Sequence, residues 1–326
     1  MTSAWSWVSN WTTFRKFTSF VRRLPLGSRV QVIRAVFEQG IELRFVSDRW
    51  TISSAPPAAG AAFASLSDAV TALSPLRPLL FTEKRSFGGD LTLLLRCGGK
   101  EYFGICVSDL INRSLSTDTL YPVYHLAYLL GALSYHCQRL AELYAQIAVR
   151  YCEITQIPGH SDSNDVATFG YQTEPYYEFE ALVGAARRSY DSIRYVLWQR
   201  FGPRKGSTPR SLETLLKARS DIPETLHKRL TTSWQNFGVP LTHYRDCIHH
   251  YVPVDFGLAS AFMRRHPLRA WTTTIRIPDN PEIRSKNGFT FALGRDALTY
   301  AWELADEVLG VVIAAVEAAV PRQANA

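Results

Sequence analysis

Cysteine is sparse in this chain and poorly spaced for any framework. Cys97, Cys106, Cys137, Cys152 and Cys247 are odd in number and include no C-x-x-C pair. That excludes a disulfide scaffold and a zinc ribbon, and it fits a reducing cytoplasm. Glycine-rich phosphate loops are missing too. Neither G-x-x-x-x-G-K-[ST] nor G-x-G-x-x-G occurs, so no nucleotide cofactor is expected, and Gly202-Pro203-Arg204-Lys205-Gly206-Ser207 is read as a helix-ending loop. The most apolar run, Val308 to Val320, contains Glu317 and falls short of the roughly 20 residues that a bilayer requires. Met1 to Asn10 has no basic residue and no unbroken apolar stretch, so neither a signal peptide nor a membrane span is expected.

What the chain does contain is core-forming and basic. With 326 residues, 46% hydrophobic, 12% aromatic and 20% charged, it has ample material for a globular protein of two domains, and wholesale disorder is excluded. The net charge of +7 is unevenly spread. Residues 181–300 hold 19 Lys and Arg against 9 Asp and Glu, a local +10, while the remainder is slightly acidic. Clustered cations attract polyanions, so a nucleic acid is the natural partner, with Arg187, Arg188 and Arg194 as candidate contacts. The bland alternative makes these arginines, with Arg264 and Arg265, solvated helix faces.

The pattern along the chain predicts an α+β protein. Residues 1–117 read as a mixed α/β module with an aromatic amphipathic segment over Met1 to Phe20. A first hairpin has Val30 to Phe37 and Ile41 to Ile52 around Gln39-Gly40, and a second has Leu91 to Cys97 and Lys100 to Cys106 around Gly98-Gly99. Ala55 to Gly60 is a connector. Residues 118–160 read as one long helix whose apolar stripe includes Tyr124, Tyr128, Leu129, Leu133, His136, Leu140, Leu143, Tyr144 and Ile147. Gly159 to Glu174 reads as a polar loop. Residues 172–320 then form a helical domain: Tyr176 to Phe201, Arg210 to Ala218, a helix capped by Asp221, a short helix from Leu241 to Val252, and a closing helix from Asp296 to Val320. Between the last two, short strands are expected at Trp271 to Ile277 and Gly288 to Leu293.

The short helix carries the chemistry. Val239-Pro240 precedes it and Val252-Pro253 follows it, as proline starts and stops helices. In Tyr244-Arg245-Asp246-Cys247-Ile248-His249-His250-Tyr251, Arg245 and His250 lie five residues apart, about 140° around the axis and roughly 7.5 Å along it. Such a pair does not stack but flanks a groove. It is the only Arg-to-His pair in the chain with four to six intervening residues.

Tyr176 to Val252 with the closing helix resembles the HEPN family of helical domains. That family has a long first helix, short connecting helices and a late helix bearing R-x4-6-H with a polar residue after the arginine; here Arg245, Asp246 and His250 match. The resemblance implies a homodimer through the helical domain whose facing motif helices cut RNA without a metal or other cofactor. Ends carrying a 2′,3′-cyclic phosphate would result, and the setting would be a toxin or antiviral defence effector. By that resemblance His250 exchanges the proton, Arg245 holds the scissile phosphate, Asp246 orients either, and His249 assists or substitutes for His250. Tyr244 and Tyr251 are candidates to stack on bases, or else pack. A modifiable tyrosine found two positions after the histidine in some members is Val252 here, which argues against that regulation. Two rivals stand beside this reading. His243, Cys247, His249 and His250 are crowded enough to suggest a metal site, though no H-E-x-x-H accompanies them, and the helix could also serve a non-catalytic nucleic-acid or protein-interaction module.

Overall fold

The computed structural model describes residues 30–52, 61–74, 76, 78–85, 90–93, 120–155, 166–202, 207–218 and 221–319. The expected aromatic segment at Met1 to Phe20, the connector at Ala55 to Gly60 and most of the second hairpin lie outside these residues. The chain is α+β, with long helices and antiparallel strands in two sheets. It divides into two compact units that interleave in sequence: residues 1–104, 141–175 and 257–276 form the first, and 105–140, 176–256 and 277–326 the second.

The first unit contains a six-stranded antiparallel sheet in the order β4-β3-β2-β1-β5-β6. Its strands are β1 (Val30–Phe37), β2 (Glu42–Val46), β3 (Arg49–Ile52), β4 (Ala62–Phe63), β5 (Pro78–Arg85) and β6 (Asp90–Leu93). The connection around Gln39-Gly40 is present as a 3-10 turn, with Gly40 at φ +75. A Cβ there would lie 2.4 Å from that of Tyr144, so only glycine fits. The run Ile41 to Ile52, expected as one strand, instead breaks at Ser47-Asp48. Both residues have positive φ, at 49 and 63, and Val46 pairs with Arg49 across them. Positive φ at both central positions of a two-residue turn matches the right-handed twist of the flanking strands, and a short polar side chain such as that of Asp48 tolerates it.

Opposite one another on β1 and β2 stand Arg34 and Arg44, a like-charge pair that would repel. Buried Glu42 offsets it, accepting from Arg34 Nε and, at 3.1 Å, from Arg44 Nε. The apolar face of the sheet gathers Phe37, Ile41, Leu43, Trp50 and Ile52 with Leu73, just beyond helix α1 (Leu66–Ala72), which Ser65 caps by accepting from Asp68 N.

A second, three-stranded sheet joins β7 (Val166–Phe169), β8 (Ala261–Arg265) and β9 (Trp271–Ile275). It differs from expectation in its partners. Trp271 begins a strand, but it pairs with β8, and β7 comes from the segment read as a polar loop. Gly288 to Leu293 is not a strand. Side chains take over its backbone groups: Asn280 Oδ1 accepts from Thr290 N (2.7 Å), Asn280 Nδ2 donates to Gly288 O (3.0 Å) and Asp279 Oδ2 accepts from Leu293 N (2.9 Å). Asn and Asp compete with a ladder in this way.

The second unit is helical. It takes residues 120–140 of α2 (Leu120–Thr155), most of α3 (Glu174–Phe201), then α4 (Leu212–Lys217), α5 (Glu224–Ser233), α6 (Val239–His250) and α7 (Ala297–Ala319). Tyr124 and Tyr128, placed by the sequence pattern on the apolar stripe of α2, are exposed. Leu126, Leu129, Leu130 and Leu133 occupy the buried face instead, because a tyrosine hydroxyl keeps its ring content at the surface where a leucine gains only from burial. The helix expected from Asp221 starts at Glu224, with Pro223 in the cap position.

Helix α6 is not a separate proline-bounded element. One π-helical turn, Trp234–Gly238, joins α5 to it without a break. The wider turn lets Val239 N reach Trp234 O and accommodates Pro240, whose ring would clash with the preceding turn of a regular helix. A Cβ on Gly238 would lie 2.3 Å from the Trp234 ring, so the turn needs glycine there too. Among the described residues no helix is long and apolar enough to cross a membrane.

Candidate functional site

Helical spacing sorts the residues of α6 before any chemistry is considered. Leu241, Tyr244 and Cys247, three apart, fall on the buried face. Tyr244 is wholly enclosed. Its ring meets Phe179 edge-on at 5.6 Å and Tyr300 at 5.4 Å, its hydroxyl donates to Pro278 O, and Arg295 donates to that hydroxyl at 3.3 Å. Burial pushes the Tyr244 phenol up to about 12, with Arg295 pulling the other way. Tyr244 therefore packs, and it has no face to offer a base. Cys247 is inside as well, its thiol donating to Val252 O at 3.5 Å and raised by burial, which makes it a poor nucleophile.

The other face opens outward. Arg245 is half-buried, and its Nη1 lies 3.0 Å from Asp246 Oδ1. The second carboxylate oxygen of Asp246 lies 3.5 Å from Arg284 Nη2. Arg284 in turn donates to the Tyr251 hydroxyl at 3.2 Å, with its guanidinium 5.1 Å from the centre of the Tyr251 ring. His250 meets Tyr251 edge-on at 6.3 Å, and the His249 ring is 6.4 Å from that of His250. Both histidines are exposed. A continuous chain of contacts thus runs from Arg245 through Asp246, Arg284 and Tyr251 to His250. Close by in sequence, Lys286 Nζ pairs with Asp255 at 2.8 Å.

Arg284 is the principal residue that sequence reasoning missed. It caps a 3-10 turn, Pro281–Ile283, in the left-handed region at φ 57, 33 residues from Tyr251. Its charge counted toward the basic window, but nothing local marks it as a neighbour of Asp246.

The arginines of α3 are divided. Arg187 pairs with Asp191 at 2.7 Å, and its guanidinium lies 5.3 Å from the Trp234 ring centre. Arg194 is 7% exposed and donates from Nη1 to Pro209 O at 2.6 Å and to Arg210 O. These two are tied into the helical packing and do not present themselves to a polyanion. Arg188 is exposed.

Among the described residues no group of three or more His, Cys, Asp and Glu is arranged to hold a metal. His243 does not join His249 and His250; its Nδ1 is buried without a hydrogen-bond partner among the described residues. In comparisons with known proteins, no family model matches the chain, and neither a curated protein nor a solved structure matches it.

Proposed function

We propose that the chain is a metal-independent endoribonuclease, HEPN-like in its helical part, that works as a homodimer in a reducing cytoplasm. The observation carrying this reading is the open face of α6, where the exposed His250 meets Tyr251, whose hydroxyl accepts from Arg284, one of two guanidiniums, with that of Arg245, paired to Asp246. His250 takes the proton from a ribose 2′-hydroxyl, the 2′-oxygen attacks phosphorus, and the bond to the 5′-oxygen breaks. The departing oxygen receives a proton from the second protomer's imidazole. A 2′,3′-cyclic phosphate and a free 5′-hydroxyl result. Arg245 and Arg284 face the charge that grows on the phosphate oxygens, planar forks suited to paired oxygens, and Asp246, within 3.0 and 3.5 Å of them, offsets part of their charge until the phosphate arrives. His249 stands beside His250 as a second proton carrier. A nuclease of this kind acts as a toxin or defence effector.

One observation favours a second reading. Asp246 already satisfies part of both guanidiniums, so the same face works as a module that retains RNA without cutting it. Purified protein incubated with a long RNA in excess chelator separates the two, beside the variants Arg245→Ala and His250→Ala. Cleavage in chelator that both variants lose, with cyclic phosphate ends, is the expected result. Retention of intact RNA by the wild-type protein selects the binding module, and cleavage only on adding a divalent cation removes the proposed chemistry.

A further inference from the structure

Away from the α6 face, the second unit has a cleft of about 290 Å³ between α2 and α3, lined by Tyr121, Pro122, His125, Ser192 and Tyr195. That volume sits at the small end of ligand sites, room for one ring system and too little for a dinucleotide. Its walls are rings. Tyr121 is 82% and Tyr195 46% exposed, and the Arg194 guanidinium packs 4.3 Å from the centre of the Tyr195 ring, which holds that ring in place from one side. Its floor is polar. Ser192, buried in mid-helix, lies 3.1 Å from His125 Nδ1, so one nitrogen of the imidazole is fixed and Nε2, which has no partner among the described residues, is left to donate or accept.

Two further observations extend the cleft into a track. On α2, Tyr121, Tyr124, Tyr128 and Tyr135 recur at spacings of three, four and seven, which places them on one face, and all are at least 59% exposed. The row spans roughly 20 Å of helix. Charge favours one kind of occupant: residues 120–141 contain no Asp or Glu. On α3 the exposed Arg188 precedes Ser192 by four positions and Tyr195 by seven, so it shares their face. Exposed rings in a row with a nearby cation suit a single strand of nucleic acid, because stacking and backbone charge supply its affinity without base pairing; the neighbouring carboxylates of α3, Glu178 and Asp191, are paired with His136 and Arg187.

We infer that the α2–α3 cleft is a base-binding site for single-stranded RNA, with one base held between Tyr121 and Tyr195, its edge on His125, and the adjoining strand laid along the tyrosine row. The inference deepens the ribonuclease reading and rests on it for the identity of the polymer, naming an unpaired strand as the substrate class.

Its test measures binding rather than cleavage. Fluorescence anisotropy of a labelled uridine oligomer is followed with His250→Ala protein as background, then with Tyr121→Ala, Tyr195→Ala, Tyr121→Phe and Tyr195→Phe added singly. Each alanine variant is expected to weaken binding about five- to a hundredfold. Each phenylalanine variant keeps the ring and stays within about twofold, while a hairpin of the same length binds less well than the oligomer. In a parallel arm, 4-thiouridine in the oligomer cross-links to peptides containing Tyr121 or Tyr195. Unchanged affinity in both alanine variants overturns the inference, as does equal loss in the phenylalanine variants or a proline-rich peptide occupying the cleft in place of the oligomer. No binding of the oligomer also overturns it, yet leaves the ribonuclease reading intact wherever long RNA is cut in a His250-dependent way. Tyrosine-dependent binding without any cleavage does the reverse.

Discussion

Arg194 and Arg245 belong to the same basic stretch, and the fold uses them in opposite ways. Arg194 lies inside, its Nη1 donating to the carbonyls of Pro209 and Arg210 while its Nε is buried without a hydrogen-bond partner among the described residues, so its charge secures the segment after α3. Arg245 shares an aspartate with Arg284 at the open end of α6. A buried guanidinium satisfied by backbone oxygens is a structural tie. One that shares a carboxylate at a half-exposed surface is held in position while its charge remains available to a better anion. The lesson is that a local excess of arginine measures attraction to polyanions only after the inward-facing members have been discounted.

The largest expected consequence of that contrast is a separation of activity from stability. His250→Ala and Arg245→Ala should each lower RNA cleavage about 10²- to 10⁴-fold. Both should move the urea midpoint little, since a half-exposed pair such as Arg245–Asp246 contributes at most about 1 kcal/mol. Equal losses of activity and of stability would erase the distinction. Arg194→Met is the mirror experiment. The carbonyls of the half-buried Pro209 and the exposed Arg210 lose their charged donor, which costs about 2 kcal/mol, visible as a lower urea midpoint.

Much of this architecture was legible from spacing and turn chemistry. The long helix, α3, α7 and β1 follow from periodicity, and the motif helix is read from its flanking prolines, although Pro240 lies within a continuous helical run rather than starting a separate one. Pairing at a distance was not legible. Strand β7 lies in a polar segment, and β8 ends in Arg264-Arg265, so neither looks like a strand until the other is beside it. Asn280 and Asp279 deny the ladder to Gly288–Leu293 through side-chain bonds that no period records. At the site, the outward direction of His250 could be read from the helix, whereas Arg284 could not, because it arrives from a loop. Nor does sequence reveal whether a tyrosine is core or surface: Tyr244 is enclosed and Tyr124 exposed, although both lie on amphipathic helices.

Tyr244 offers a smaller, sharper test of the same contrast. Its hydroxyl sits between Pro278 O and Arg295, next to the site in sequence yet turned away from it. Tyr244→Phe keeps the ring and its contacts with Phe179 and Tyr300 but leaves the Pro278 carbonyl without this donor. A loss of about 1 kcal/mol in denaturant unfolding is expected, with RNA affinity unchanged. A variant that kept its stability but lost affinity would mean that the ring reaches the substrate.

The smallest effect distinguishes two imidazoles by surroundings. His250 is exposed, whereas His266, in the turn between β8 and β9, is partly buried, and burial lowers its pKa below the ordinary 6.5. Leu268 N lies 3.3 Å from His266 Nδ1, so that nitrogen accepts and the neutral ring is the form that fits. With its folded pKa below its unfolded one, the unfolded chain binds more protons in the interval between the two values. Stability attributable to His266 is therefore complete above about pH 6.5 and declines as the pH falls toward the folded value. His266→Gln should flatten that part of the curve of urea midpoint against pH. A curve that kept its slope in His266→Gln would mean that burial of this ring is not the source of the pH dependence.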